Sequence, residues 1–382
     1  MQKTAVYLDY NATTPVDPGV LTTMLPYFSQ HFGNPASALH QQGWIAAEAI
    51  NTARIQVAAL LHTRPEEIVF TSCATESINL AIKGLYEVHK SQRNHIVTLA
   101  TEHAAVLETC RALEKQGAKV SYLPVDREGR LDPAILKKAI TPQTLLVCIM
   151  YANNETGVLQ DISLLSGITH AHQAFFMTDA TQAVGKIRVD VDEDGIDLLS
   201  VSAHKMYGPK GVGALYIRRK DPRVKLQALL HGGSQEQALR AGTLNVPGIV
   251  GLGAACMLAE NEMWENSIRI SKLRTRLEQG LLDLGGVSVN GSQKFRLPNV
   301  SNLSFQGVRA LELVAALPQL SFSTGSACHT ATAQPSHVLE AMGLSPDLSF
   351  NAIRLSLGKY TNDEEISFAL EAFETSIKKA RG

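Results

Sequence analysis

Several things are scarce in this sequence, and each scarcity excludes something. The 382 residues carry 35 Lys and Arg against 36 Asp and Glu, a net charge of −1, so no field of one sign draws the chain to nucleic acid or to an anionic membrane. No apolar run approaches the ~20 residues of a membrane-crossing helix. The opening Met1-Gln2-Lys3-Thr4 leads into no secretory apolar core, and a cytoplasmic location is expected. Cysteine occurs only at Cys73, Cys110, Cys148, Cys256 and Cys328, with no CxxC pair, which argues against a zinc knuckle, any other metal site of that type, and a disulfide framework. Internal repeats and low-complexity tails are absent as well. What remains is 45% hydrophobic and 19% charged, an ordinary globular composition long enough for about two domains.

The first two-thirds of the chain alternate strand and helix signals. Strands are expected at Glu67–Thr71, His95–Leu99, Lys119–Leu123, Thr144–Met150, Ala174–Thr178, Asp197–Val201 and Val212–Ile217. Helical spacing runs from Gly43 to Leu61, from Ile78 onward, from His103 to Gln116 and from about Ile162 to His172. Such alternation implies a mainly parallel sheet that carries its ligand site at the carboxyl ends of the strands. A long helical stretch from about Val250 to Gly280 then leads to a smaller α+β unit with strands at 286–289, 300–305 and 353–357. Its last helix is announced by Thr361 and Glu364 as a capping box.

Candidate site residues fall where that architecture puts a ligand. Lys205, in Ser202-Ala203-His204-Lys205, follows a buried strand and precedes the Gly-rich turn from Tyr207 to Gly213. Partial desolvation there lowers an amine's pKa and lets it react with an aldehyde. Ser72-Cys73-Ala74-Thr75-Glu76-Ser77, between a strand and a helix, reads either as a phosphate cup or as a plain N-cap at Ser72 or Thr75. Asp179, at a strand end, needs a cationic partner such as a protonated ring nitrogen. His103, Asn154 and Gln182 lie at or just past other strand ends. Cys110, Cys148 and Cys256 sit in apolar or helical contexts as small hydrophobes. Cys328 stands in the small-polar run from Ser321 to Pro335, where reactivity is its natural reading.

Taken together these stretches resemble the cysteine desulfurases, pyridoxal-phosphate enzymes of fold type I within the class-V aminotransferases, in the branch with a long cysteine loop. Tyr-Leu-Asp-Tyr-Asn-Ala-Thr-Thr-Pro from Tyr7, Gly-Asn-Pro-Ala-Ser from Gly33, Ala-Thr-Glu-Ser from Ala74 and Thr-Glu-His from Thr101 carry the likeness through the first part of the chain. Asn-Asn-Glu from Asn153, Asp-Ala-Thr-Gln from Asp179, Ser-Ala-His-Lys from Ser202, Arg-Ala-Gly-Thr from Arg240, Gly-Ser-Ala-Cys from Gly325 and Ile-Arg-Leu-Ser from Ile353 continue it. The resemblance implies a large domain over 16–255, with a mainly parallel seven-stranded sheet. It implies a small domain from 1–15 and 256–382 that bears the cysteine loop at about 321–335.

Carried across residue by residue, the resemblance makes Lys205 the lysine joined to the cofactor and stacks His103 on its ring. Asp179 meets the ring nitrogen, and Gln182 meets the phenolic oxygen. Ala74, Thr75, Ser202 and His204 hold the phosphate, with Thr243 entering from a neighbouring subunit of a homodimer. Arg354, with Asn34 and Asn154, takes the carboxylate of L-cysteine, and Cys328 accepts its sulfur as a persulfide for an acceptor protein of iron–sulfur assembly or thio-modification. Cys73 stands where the family usually has glycine, which is harmless if its φ is negative. Selenocysteine lyase, with nearly the same cofactor chemistry, is the nearest alternative, and a non-catalytic sulfur-relay scaffold is the alternative from another class.

Overall fold

The computed structural model describes residues 5–221, 223–324 and 335–381. Its central sheet has seven strands: β1 (Ile68–Thr71), β2 (His95–Leu99), β3 (Lys119–Leu123), β4 (Thr144–Cys148), β5 (Phe175–Asp179), β6 (Leu198–Ser202) and β7 (Gly213–Ile217). They lie in the order β1-β7-β6-β5-β4-β2-β3. Neighbours from β6 to β3 are parallel, whereas β7 is antiparallel to both β6 and β1. The short link between Ser202 and Gly213 explains the reversal, because a parallel return needs a crossover of roughly a dozen residues or more. Gly213 is required there: a Cβ would come within 2.6 Å of the Val201 carbonyl and 2.9 Å of the Cys73 backbone.

Helices cover both faces, as the apolar strands demand. On one side α1 (Gln41–Leu60), α4 (Ile162–Ala171) and the start of α5 (Val246–Leu282) pack Ala53, Val57 and Leu252 against Phe70, Val97, Phe176 and Leu199. On the other, α2 (Ala74–His89) and α3 (Ala104–Glu114) pack Ile78, Leu85 and Val106 against Ile96, Leu146, Met177 and Leu198. Adjacent residues such as Ile96 and Val97, or Leu198 and Leu199, divide between the two cores, as the twofold period of a strand requires.

The C-terminal unit has its own core beneath a four-stranded antiparallel sheet, β10-β11-β9-β8, built from β8 (Val287–Val289), β9 (Val300–Phe305), β10 (Ser323–Thr324) and β11 (Ala352–Ser356). Leu303, Phe305 and Ile353 meet Leu273, Leu277 and Leu281 of α5 and Phe373 of α6 (Asp363–Arg381), and Val6 and Leu8 of the N-terminal arm join them. Helix α5 thus buries its first residues in one core and its last in another.

Several expected bounds move by a few residues, and at two helix starts the shift has a physical reason. Helix α2 begins at Ala74, not at Ile78, so the small-polar turn belongs partly to the helix. The capping box at α6 uses Asn362 and Glu365, each backbone N–H donating to the other's side chain. Thr361 is unavailable because its hydroxyl accepts the Gly358 N–H.

Candidate active site

A cavity of about 460 Å³ opens above the carboxyl ends of the parallel strands, between the large sheet, the N-terminal arm and the C-terminal unit. Lys205 lies on its wall, one short 3-10 turn beyond β6. The lysine Nζ donates to the main-chain carbonyls of Asn11 and Ala12, both at 2.7 Å. Burial and the Arg354 charge lower its pKa to about 8, against the opposing pull of Asp179 and Asp9. The turn is held in a costly backbone: Tyr207 adopts φ 65, and its N–H is fixed by the Thr14 hydroxyl at 2.8 Å.

Asp179 closes β5 and is buried. Its Oδ1 accepts from the Thr181 N–H at 3.0 Å, the Thr181 hydroxyl at 2.5 Å and the Ser200 hydroxyl at 3.0 Å. Among the described residues Oδ2 receives no hydrogen bond, which leaves it for a cationic partner in the cavity. Nearby, the His103 Nδ1 accepts the Ala105 N–H at 3.1 Å as the cap of α3, so the neutral ring carries its proton on Nε2. Burial, together with Lys205 and His337, favours that neutral form over the pull of Asp179.

An anion-binding corner lies at the start of α2. No side chain caps the helix, so of the two readings of this turn the plain cap at Ser72 or Thr75 is not the one seen, and the first-turn N–H groups are left for a ligand. Cys73 has φ −176, extended backbone that any residue adopts, so its side chain strains nothing. Ser202 is buried and its Oγ has no partner, an unsatisfied donor beside that corner. The His204 Nδ1 is 3.1 Å from the Thr13 hydroxyl, and burial with Lys205, Lys210 and Lys186 lowers its pKa to about 4.

On the opposite wall Arg354 of β11 donates to the Asn154 carbonyl at 3.0 Å, to Asp9 Oδ1 at 2.7 Å and to the Ser323 hydroxyl at 3.1 Å. Its Nε is buried without a partner. This fork suits a carboxylate.

Residues 6–368 match the family described as aminotransferase class-V. The chain belongs to the class-V aminotransferase family. This class-V chain is 49% identical over 382 residues to a protein of Anaeromyxobacter dehalogenans named cysteine desulfurase IscS, covering 99% of the chain and 94% of that relative. It is 48% identical over 379 residues to the same-named protein of Neisseria meningitidis serogroup C (strain 053442), with the same coverage. Among solved structures, a "NifS-like protein" superposes with a TM-score of 0.92 at 40% identity, covering 98% of this chain and all of that one. "SspA in complex with cysteine" gives 0.82 at 40% identity, covering 93% and 99%. The fold is that of these type I pyridoxal-phosphate enzymes.

Within the class-V chain, Ala74, Thr75, His103, Asn154, Asp179, Gln182, Ser202, His204, Lys205 and Arg354 all line the one cavity. Asn34 and Thr243 do not; both are exposed elsewhere on the surface. Cys328, and the loop 321–335 apart from its ends, lie outside the described residues. Sequence reasoning missed Asn11 and Ala12, whose carbonyls hold Lys205, and Asp9, which pairs with Arg354. All three stand in the first motif of the resemblance, where the side chains alone gave them no role. It missed Glu155 too. That carboxyl is buried, accepts from the Ser336 hydroxyl at 2.5 Å, and is raised by burial to about 7. The thiols of Cys110, Cys148 and Cys256 are buried and pushed upward by burial, Cys110 to about 12.

Proposed function

We propose that this protein is a pyridoxal-phosphate-dependent cysteine desulfurase, converting L-cysteine to L-alanine and passing the sulfur to Cys328. The observation that carries the reading is a lysine with a pKa of about 8, fixed in a cavity that also holds an uncapped helix N-terminus, a carboxylate with a free oxygen and an arginine fork.

The chain's groups fit that cofactor. The uncapped turn at Ala74 and Thr75 and the unpartnered Ser202 hydroxyl suit a phosphate, with His204 beside them. Asp179 Oδ2 suits a ring N–H, Gln182 the phenolic oxygen, His103 the ring face and Lys205 the aldehyde. When bound, the cofactor supplies an aldehyde for covalent linkage and an electron sink for the α-carbon's electrons. The Lys205 amine, once free of that linkage, takes and returns protons at the α-carbon, because a pKa near 8 makes both of its forms accessible at neutral pH. Arg354 and Asn154 orient the substrate carboxylate, and His103 assists proton movement. As the Cys328 thiolate bonds to the substrate sulfur, the bond from that sulfur to Cβ breaks. Cβ keeps the electron pair and takes a proton, which leaves alanine and a persulfide.

We take 16–255 as the large domain and 1–15 with 256–382 as the small one; the change of core along α5 supports a division near 256. A homodimer is supported by Leu25, Phe28, Phe32, Leu39 and Trp44, apolar side chains between 54% and 95% exposed. In such a dimer Thr243 meets the partner's cavity. No helix among the described residues is long and apolar enough to cross a membrane. We take the cytoplasm as its location. The relatives' shared name supports iron–sulfur assembly as the destination of the sulfur, and favours desulfuration over selenocysteine lysis.

The test is alanine and sulfide release from L-cysteine in the presence of a reductant. Wild type should be yellow and active, Lys205→Ala colourless and inactive, and Cys328→Ala yellow but silent. Full activity in Cys328→Ala would remove Cys328 as sulfur acceptor; faster turnover of selenocysteine that survives in Cys328→Ala would move the lyase forward.

A further inference from the structure

Lys186 is an enclosed amine that the chemistry above leaves unused. It follows the left-handed Gly185 (φ 77) in the turn after β5. Its Nζ donates to Gln182 Oε1 at 2.5 Å and to Asn11 Oδ1 at 3.3 Å. On the other end of the same amide, Gln182 Nε2 donates to the Asn11 carbonyl at 2.9 Å, the oxygen that also accepts from Lys205 at 2.7 Å. A main-chain carbonyl only accepts, so the amide must present its NH2 to Asn11 and its oxygen to Lys186. Asn11 Oδ1 in turn accepts from Asn299 Nδ2 at 3.0 Å, which ties the cluster to the C-terminal unit.

No carboxylate balances this amine among the described residues. Burial, with the charges of Lys205 and Arg354, both cations, pushes it far below the ordinary lysine range. Lys186 also lines a second pocket, of about 50 Å³, together with Tyr10, Tyr207, Glu262 and Lys359. There the carboxylate of Glu262 is engaged by Lys359 at 3.1 Å. The residue is partly buried, and an amine enclosed without a counter-ion is costly.

We propose that Lys186 is a positioning residue for Gln182: it holds the amide oxygen, so that the NH2 gives one N–H to the Asn11 carbonyl and keeps the other for the cavity as a hydrogen-bond donor. The proposal rests on the reading that Gln182 meets the phenolic oxygen of pyridoxal phosphate. A donor on that oxygen draws charge from it and weakens its hold on a proton at the neighbouring nitrogen that joins Lys205 to the cofactor. That proton then leaves at lower pH, and removing the donor raises the midpoint of the colour change.

The experiment is an absorbance titration of the cofactor-loaded protein from about pH 6 to 10. Wild type is compared with Lys186→Met, Lys186→Gln, Gln182→Ala and the Lys186→Met/Gln182→Ala double variant. Lys186→Met should raise the midpoint by about one pH unit, the size expected of one hydrogen bond to a charged group. Lys186→Gln, which retains a donor for the amide oxygen, should restore it. The double variant should match Gln182→Ala alone, since the two residues act as one unit. Additive shifts, or an unmoved midpoint in Lys186→Met while Gln182→Ala shifts, overturn the proposal and leave the reading of Gln182 standing. An unmoved midpoint in Gln182→Ala removes that reading and the proposal with it. Without cofactor, Lys186→Met should melt at or above the wild-type temperature; a fall of more than about 5 °C marks a purely structural lysine and overturns the proposal.

Discussion

Arg354 and Asp9 form an ion pair at 2.7 Å across 345 residues of chain, joining β11 to the N-terminal arm at the mouth of the cavity. Together with the Asn154 carbonyl, Asp9 fixes the guanidinium plane. Lysine at 354 keeps the charge but cannot span both partners. Arg354→Lys should therefore lower kcat/KM for L-cysteine by about 100-fold, mostly through KM, with the bound cofactor's spectrum unchanged. Steady-state kinetics over a range of cysteine concentrations checks this, and a selective loss of kcat would remove Arg354 as the carboxylate fork.

Lys205 makes cofactor-free stability depend on alkaline pH. Its pKa is about 8 in the folded protein against an ordinary 10.5, so between those values the unfolded chain binds the extra proton and stability rises with pH. Relative to Lys205→Met, the wild-type apoprotein should gain up to about 3 kcal/mol from pH 7.5 to 10. Urea midpoints at the two pH values measure it, and parallel behaviour of the two proteins would contradict a depressed amine.

Glu155 works in the opposite direction. Its folded value near 7 lies above the ordinary 4.5, so the folded state holds the proton longer and stability falls as pH rises from about 4.5 to 7. Glu155→Gln keeps a partner for Ser336 without the charge. It should gain on wild type by up to about 3 kcal/mol between pH 5 and 8, as followed by thermal or urea unfolding. A variant that instead loses ground at pH 8 would mean that the ionised carboxylate is stabilising.

The exposed apolar face gives a hydrodynamic prediction. Phe28 and Leu39 are 61% and 95% exposed. The combined Phe28→Glu and Leu39→Glu variant should sediment as a monomer where wild type sediments as a dimer, and should release its cofactor more readily because Thr243 of the partner is lost. A dimer undisturbed by both charges would move the interface elsewhere.

The sequence made much of this site legible because its signals are local. The bounds of β2 and β3 match the expected spans to the residue, since each is a run of strand-forming residues between polar turns. Lys205, Asp179 and Ala74 could be placed because each sits where a strand signal stops. The partners of those residues were not legible. The Asn11 and Ala12 carbonyls have no side-chain signature, and the Asp9–Arg354 pair exists only after folding. Lys186 looks like any lysine until its hydrogen bonds to Gln182 and Asn11 are known. The capping box slipped by one residue because Thr361 and Asn362 offer equivalent side chains, and only the turn at Gly358 decides between them.

Lys205 is anchored by backbone oxygens rather than by side chains, from residues some 190 positions earlier in the chain. Every amino acid supplies that oxygen, so a substitution survey at position 12 would record tolerance where the architecture is in fact committed. The vulnerability lies in chain continuity: cutting, shortening or re-routing the arm between Val6 and Pro15 would free the amine while leaving the sheet that bears it intact.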